Sequence, residues 1–170
     1  IKTRNFELML NANISFNRNS IINIGTDSEG DYIFLNGEEK VKCNYYLGDQ
    51  IGNGRYFAKA VNIFAEGQPI GLFYGLKTDG IVQEGESGPG FSAGTEKGPG
   101  SIRYCDLNGN GYIDDEDRTI IGDPNPDFTY GFGLDMSWGR FSFSMSFNGS
   151  YGNDICNFNL NQLLDTQSNH

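Results

Sequence analysis

Strict alternation of apolar and polar residues runs through three segments of this chain and constrains its fold more than any other feature. In residues 6–16 every even position is apolar, and the odd positions between them are polar except Met9. Residues 128–138 and 141–151 repeat the pattern, with large apolar and aromatic side chains on one face and small or polar residues on the other. A period of two residues indicates β-strands, because helices repeat every 3.6 residues.

The last two alternating segments are predicted to form a hairpin. Trp138 and Phe141 both belong to the apolar face, so a two-residue turn at Gly139-Arg140 keeps the register. Strands of about 10 residues exceed ordinary globular strands and match the length that crosses a bilayer at a tilt. An apolar face with aromatic ends opposite a small, polar face is typical of a lipid-facing exterior and a hydrated lumen. A β-sandwich with one buried face produces the same alternation and stays open as an alternative.

The predicted fold class is therefore all-β, with antiparallel strands of a transmembrane β-barrel and long extracellular loops. Residues 1–170 are expected to be part of one barrel domain, with no start methionine and both ends of the parent protein missing. The expected parts are strands and loops in 1–83, an extracellular loop in 84–127, and the hairpin in 128–158. Short strands are expected at 21–24, 32–35 and 61–64, and one or two more in 68–83.

Composition excludes several classes of function. A net charge of −10 argues against nucleic-acid binding and makes divalent cations plausible partners. The three cysteines are odd in number and widely spaced, so neither a disulfide framework nor a zinc site is indicated. The only histidine is His170, the last residue, which leaves no candidate for a histidine-based triad or general base. No catalytic residue is assigned, and the chain is not expected to be an enzyme.

Residues 106–117 form the one sharp motif and predict a calcium loop. Oxygen-bearing side chains occupy loop positions 1, 3, 5, 9 and 12, and Gly111 stands at position 6, where a calcium loop turns sharply. Position 7 offers a backbone carbonyl, and Ile113 at position 8 is the apolar anchor. The predicted Ca²⁺ ligands are Asp106, Asn108, Asn110, Tyr112, Asp114 and Asp117. A solvated acidic turn is the alternative, since Asp, Asn and Gly are ordinary turn formers.

Several motifs, in their order along the chain, resemble the SusC/RagA family of TonB-linked outer-membrane proteins. They are Gly67-Gln68-Pro69-Ile70, Phe73-Tyr74-Gly75-Leu76-Lys77, Asp79-Gly80-Ile81, Pro99-Gly100-Ser101-Ile102-Arg103-Tyr104, the loop from Asp106 to Asp117, the stretch from Asp117 through Pro124-Asn125-Pro126-Asp127 to Phe132, and Gly149-Ser150-Tyr151-Gly152-Asn153-Asp154-Ile155. The resemblance covers a little over half of the chain. Residues 1–65 match the family chiefly through Asn13-Ile14-Ser15-Phe16-Asn17.

The resemblance implies a barrel of about 22 strands with a plugged lumen in the outer membrane of a Gram-negative, Bacteroidetes-like bacterium. It also implies energy supplied by TonB through parts that this sequence does not contain, and a partner lipoprotein of the SusD/RagB type. Substrates of the family are typically oligosaccharides or peptides. Nothing in the alternation or the spacing shows these properties.

Two functional hypotheses follow. In the first, the chain is part of a TonB-dependent importer whose polar face lines a hydrated lumen through Asn11, Asn13, Ser142, Ser144, Ser146 and Asn148. In the second, it is a secreted calcium-binding β-sandwich for adhesion or carbohydrate binding. The apolar face contacts lipid in the first hypothesis and is buried in the second.

Overall fold

The structure, a computed structural model, describes residues 1–25, 30–35, 39–49 and 60–157. The breaks between the predicted short strands at Asn36-Gly37 and Gly52-Asn53-Gly54, and His170, lie outside the described residues. Within the described part every paired strand is antiparallel, and the one helix is a single 3₁₀ turn. The all-β, antiparallel class predicted from the alternation is confirmed.

The strands are short in the middle of the chain and long near its ends. They are β1 (Phe6–Ser15), β2 (Asp31–Phe34), β3 (Lys40–Cys43), β4 (Tyr45–Leu47), β5 (Asn62–Ala65), β6 (Leu72–Leu76), β7 (Thr78–Ile81), β8 (Gly88–Pro89), β9 (Glu96–Lys97), β10 (Ile102–Tyr104), β11 (Arg118–Gly122), β12 (Phe128–Trp138) and β13 (Phe141–Tyr151). The 3₁₀ turn is Asp115–Asp117.

The chain divides into two compact units. The first contains residues 1–17 and 124–170, and its described part is a three-stranded sheet in the order β1-β12-β13. Strand β1 pairs with β12 along its whole length, although the second unit, residues 18–123, separates them in the sequence. The second unit is therefore a single excursion of the chain between two neighbouring strands.

The second unit is inserted at the end of the sheet where β1 ends and β12 begins. At the opposite end of the sheet, the β12–β13 connection and the segment before β1 are both tight turns. Gly139 has φ +60° at the first central position of the β12–β13 turn, as a type II′ hairpin requires. The chain before β1 also folds back: Lys2 bridges Glu7, and the Thr3 amide donates to the Phe6 carbonyl at 2.7 Å. The Gly139 amide donates to the Asn5 carbonyl at 3.0 Å, so the two turns are neighbours.

The second unit is built on a four-stranded sheet in the order β11-β6-β5-β4, with two-stranded ladders β2-β3, β7-β10 and β8-β9. Its core is a cluster of buried side chains, namely Ile33, Leu35, Ile63, Ala65, Leu72 and Tyr74. Buried positions alternate along β5 and β6, as expected for strands with one covered face.

One predicted strand of this unit is wrong. Residues 21–24 form no strand; instead the Ile21 amide donates to the Gln68 carbonyl, and the Gly67 amide donates to the Ile21 carbonyl. A run of apolar residues shows that a segment is buried or extended, but a ladder also needs a partner strand in register. The segment 84–100, predicted to be a loop, contains only the short β8-β9 ladder.

No helix among the described residues is long and apolar enough to cross a membrane.

Candidate functional site

The three-stranded sheet has one continuous apolar face. Because directly opposed residues of antiparallel strands point to the same side, the register joins the even-numbered residues of β1 and β12 and the odd-numbered residues of β13 into rows. The rows are Phe6-Trp138-Phe141, Leu8-Met136-Phe143, Leu10-Leu134-Met145, Ala12-Phe132-Phe147 and Ile14-Tyr130-Gly149. The register predicted from the two-residue turn is confirmed.

This apolar face is exposed rather than buried. The exposed fraction is 57% for Leu10, 52% for Phe147 and 82% for Phe141. Exposed apolar patches of this extent mark surfaces that meet a partner or a membrane. The face therefore needs a covering that the described residues of the unit do not supply.

Aromatic rings lie at both ends of the apolar face. At the end away from the tight turns, the ring of Phe128 lies 5.9 Å from that of Phe16 and 5.2 Å from that of Tyr151. At the turn end, Trp138 and Phe141 are paired and strongly exposed. Two aromatic ends with aliphatic side chains between them are the arrangement of a lipid-facing wall with its interfacial girdles.

The opposite face is small and polar, as predicted. Asn13, Gly131 and Asn148 form one row across the three strands. A methyl group on Gly131 would lie 2.8 Å from Oδ1 of Asn13 and 3.0 Å from Oδ1 of Asn148, so the glycine makes room for both amides. Nearby, the Ser144 hydroxyl donates to the Asp135 carboxylate at 2.5 Å. This face presents hydrogen-bonding groups rather than a packed interior.

The predicted calcium loop is closed by hydrogen bonds from its own backbone. The carboxylate of Asp106 accepts the amides of Gly109 and Gly111, both at 2.7 Å, and Gly111 has φ +88°. The sharp turn predicted at position 6 is thus present. Ile113 is 2% exposed, and its amide donates to the Gly90 carbonyl at 2.8 Å, so the predicted apolar anchor is buried.

Asp117 closes the loop from its far end. Its carboxylate is fully buried and accepts the amides of Leu107 at 2.8 Å, Asn108 at 3.2 Å and Asp114 at 2.8 Å. Asp114 in turn accepts the Glu116 amide and caps the 3₁₀ turn. The three N–H donors satisfy both oxygens of this buried carboxylate, which is needed because burying a polar group without hydrogen-bond partners is costly.

Hydrogen bonds link the six predicted ligands into one cluster. Asn110 donates from its amide side chain to Asp114 at 2.9 Å and accepts the Tyr112 amide at 3.0 Å. No three Asp, Glu, His or Cys side chains in the described part of the chain are placed to hold a metal ion. The predicted set draws half of its ligands from amides and a backbone carbonyl, and such oxygen donors match the preference of Ca²⁺.

Arg118 connects the loop to the core of the second unit, a role that the sequence did not indicate. It is 7% exposed and donates from one guanidinium nitrogen to the carbonyls of Ala60 and Tyr74, the latter at 3.0 Å. Its guanidinium also lies 4.8 Å from the centre of the Tyr74 ring. Burial raises the pKa of the Tyr74 phenol to about 12, and the charge of Tyr45 adds to the shift while Arg118 opposes it.

A groove of about 570 Å³ borders the loop. Asp106 and Gly111 line one part of it, and Glu96 and Arg103 line another. Arg103 is held in place by Glu86, whose carboxylate lies 3.1 Å from the guanidinium, and by the Asp79 carbonyl at 3.0 Å. The groove therefore offers fixed polar groups beside the candidate metal loop.

Comparison with known proteins relates nearly the whole chain to one class of receptor. The chain is 32% identical over 168 residues to TonB-dependent receptor P3 of Formosa agariphila, and 28% identical over 160 residues to TonB-dependent receptor P26 of the same organism. These matches cover 96% and 94% of this chain but only 15% and 14% of those proteins. A third relative, TonB-dependent receptor P39, is 32% identical over 128 residues. No family model matches the chain. The chain is thus homologous to a short part of proteins that are named as receptors rather than enzymes.

Proposed function

We propose that this chain forms part of the outer-membrane barrel, and one outward excursion, of a TonB-dependent receptor that imports oligosaccharides or peptides in a Gram-negative, Bacteroidetes-like bacterium. The observation that carries the proposal is the exposed, aromatic-ended apolar face of the β1-β12-β13 sheet, opposite a polar face. The homology to part of TonB-dependent receptors supports it.

The dimensions of the sheet fit a bilayer. Strands of 10 and 11 residues, at about 3.3 Å per residue and a tilt of about 45°, rise roughly 25 Å, which is the height of the apolar band of such barrels. A sandwich module would bury the same face against a second sheet. Phe141 at 82% exposure and Trp138 at 67% favour lipid over that alternative.

The connections favour one orientation of the sheet in the membrane. Outer-membrane barrels have short periplasmic turns and long extracellular loops. The two neighbouring tight turns, at Arg4-Asn5 and Gly139-Arg140, would lie on the periplasmic side. The excursion between β1 and β12, which contains the predicted outward loop 84–127, would then lie outside the cell.

A lipoprotein of the SusD/RagB type is the proposed partner on the outer side, and the polar face is proposed to line the solute path. The amides of Asn13 and Asn148 around Gly131 offer neutral hydrogen-bond partners suited to polar solutes. Replacing Gly131 and Ser146 by bulky residues should slow uptake. Unchanged growth on the cognate nutrient would count against a transport path along this face.

Locating the native polypeptide tests the main proposal. An antibody raised to residues 84–122 should detect, in the outer-membrane fraction, a band several times larger than this chain, and should co-precipitate a lipoprotein. A soluble band of the size of this chain would contradict the proposal and favour a secreted calcium-binding module.

Calcium binding by the loop is a separate proposal. Asp106, Asn108, Asn110, Asp114 and Asp117 would supply side-chain oxygens, and Tyr112 its carbonyl, to an ion that stiffens the excursion where it meets partner or substrate. Calorimetry on the metal-free receptor should give calcium heats that are lost in Asp106→Asn/Asp114→Asn. Asp127→Asn, outside the loop, is the matched control. No heat above background at millimolar calcium would leave the solvated acidic turn as the better account.

A further inference from the structure

Each of the two tight turns of the three-stranded sheet contains an arginine that has no ion-pair partner among the described residues. Arg4 and Arg140 are exposed, and they belong to turns that the Gly139–Asn5 hydrogen bond holds together at 3.0 Å. Lys2, the other cation at this end, is paired with Glu7 at 3.2 Å. Neither Arg4 nor Arg140 forms an ion pair with any described residue.

Large aromatic rings flank the same turns on the apolar side. Trp138 and Phe141 end the two strands that the Gly139-Arg140 turn connects, and Phe6 pairs with Trp138 in the next strand. Trp side chains concentrate at the headgroup level of membranes, where cations with long stems reach the lipid phosphates. In a chain of net charge −10, two arginines with no ion-pair partner among the described residues form a local positive surface beside these rings.

We propose that Arg4 and Arg140 form a docking site for the phosphate of an anionic phospholipid in the leaflet on the tight-turn side. This inference rests on the proposed function, since it requires the apolar face to meet lipid. A guanidinium fork matches two phosphate oxygens, which makes arginine better suited than lysine to this contact. The expected gain is roughly fivefold in anionic-lipid affinity for each arginine and about 25-fold for the pair.

Native mass spectrometry of the full-length receptor in detergent tests the proposal. Phosphatidylglycerol and phosphatidylcholine are offered at equal concentration to the wild type, to Arg4→Gln/Arg140→Gln, and to the control Arg18→Gln. Arg18 is also exposed but follows the opposite end of β1. The wild type and R18Q should retain phosphatidylglycerol preferentially, and the double variant should lose that preference.

Two results would overturn the inference. One is an unchanged phosphatidylglycerol preference in the double variant. The other is displacement of the lipid by inorganic phosphate at millimolar concentration, which would indicate a site for free anions. Localisation separates this failure from that of the proposed function: a receptor that fractionates with the outer membrane but shows no arginine dependence contradicts the lipid site alone.

Discussion

Asp117 and Arg118 are adjacent in the sequence, and both are buried. They lie where the calcium-like loop joins the sheet of the second unit, and Asp117 contacts the loop while Arg118 contacts the core. The Asp117 carboxylate gathers three loop amides, whereas the Arg118 guanidinium binds carbonyls of the core. Because each charge is satisfied by backbone dipoles, the loop and the sheet are fixed to each other through a single peptide link. The conformation of the loop should therefore depend on the integrity of the sheet.

Removing the Arg118 side chain tests this dependence. Arg118→Ala removes the guanidinium donor from the carbonyls of Ala60 and Tyr74 together with the contact to the Tyr74 ring, so we expect the second unit to lose about 2–4 kcal/mol of local stability. Limited proteolysis of the excursion in the intact receptor would measure it. Arg103→Ala, which breaks exposed ion pairs with Glu86 and Asp79, is the control and should cost less than about 1 kcal/mol. Equal protease resistance of R118A and wild type would contradict the role of the junction.

The Tyr74 phenol gives the same core a pH dependence. Burial raises its pKa to about 12, so the folded state favours the neutral phenol. The corresponding stability is fully present below the unfolded pKa near 10 and is lost as the pH rises through about 12. A difference absorbance titration of wild type minus Tyr74→Phe should show one phenol ionising near pH 12. Ionisation near pH 10 would mean that the ring is hydrated.

At the scale of elements, the two faces of β13 give a matched pair of substitutions. Met145 and Ser146 are neighbours at the middle of the strand and point to opposite faces. If the apolar face meets lipid, Met145→Arg places a charge near the bilayer midplane and should destabilise the barrel by about 2–4 kcal/mol. Ser146→Arg, at the same depth on the polar face, should be tolerated.

Urea unfolding of the two variants in lipid vesicles measures that difference. Equal destabilisation would show that both faces are packed against protein, contrary to a lipid-facing wall. Equal tolerance would show that neither face meets lipid.

The same strands show why alternation predicted part of the fold well. Along β12, one face is aromatic and the other small, so period, length and register all follow from the residues, and the turn at Gly139-Arg140 is confirmed. The pairing of β1 with β12 could not be predicted from the sequence. The two strands are separated by 112 residues, between Ser15 and Phe128, and the alternation in one strand does not indicate which other strand it pairs with. Short strands were predicted less well, as the error at 21–24 shows.

The loop shows the same limit at the candidate site. Turn chemistry placed Gly111 and the buried Ile113 correctly, since both depend on local spacing. The contacts of Arg118 with Ala60 and Tyr74 did not follow, because a basic residue after an acidic loop gives no sign that it will be buried. Calcium binding by the loop stays a prediction.

At the scale of the whole molecule, the connections differ between the two ends of the sheet, and in an outer-membrane barrel such ends lie on opposite sides of the membrane. The excursion between β1 and β12 leaves from one end, and the two tight turns join the strands at the other. If the sheet spans the outer membrane, a residue in the 84–122 segment is open to the medium, whereas the Arg4-Asn5 turn faces the periplasm. A reagent that cannot cross the outer membrane should therefore reach the 84–122 segment but not the Arg4-Asn5 turn.

Cysteine labelling of intact cells tests the assignment. In a receptor with Cys43, Cys105 and Cys156 replaced by Ser, a membrane-impermeant maleimide should label Gly98→Cys, whose position has open space around it, without any treatment of the cells. Asn5→Cys, in the exposed turn, should react only after the outer membrane is opened. Labelling of Asn5→Cys alone in intact cells would invert the orientation. Labelling of both would mean that the chain does not span the membrane, and the exposed apolar face would then need a protein partner outside the cell.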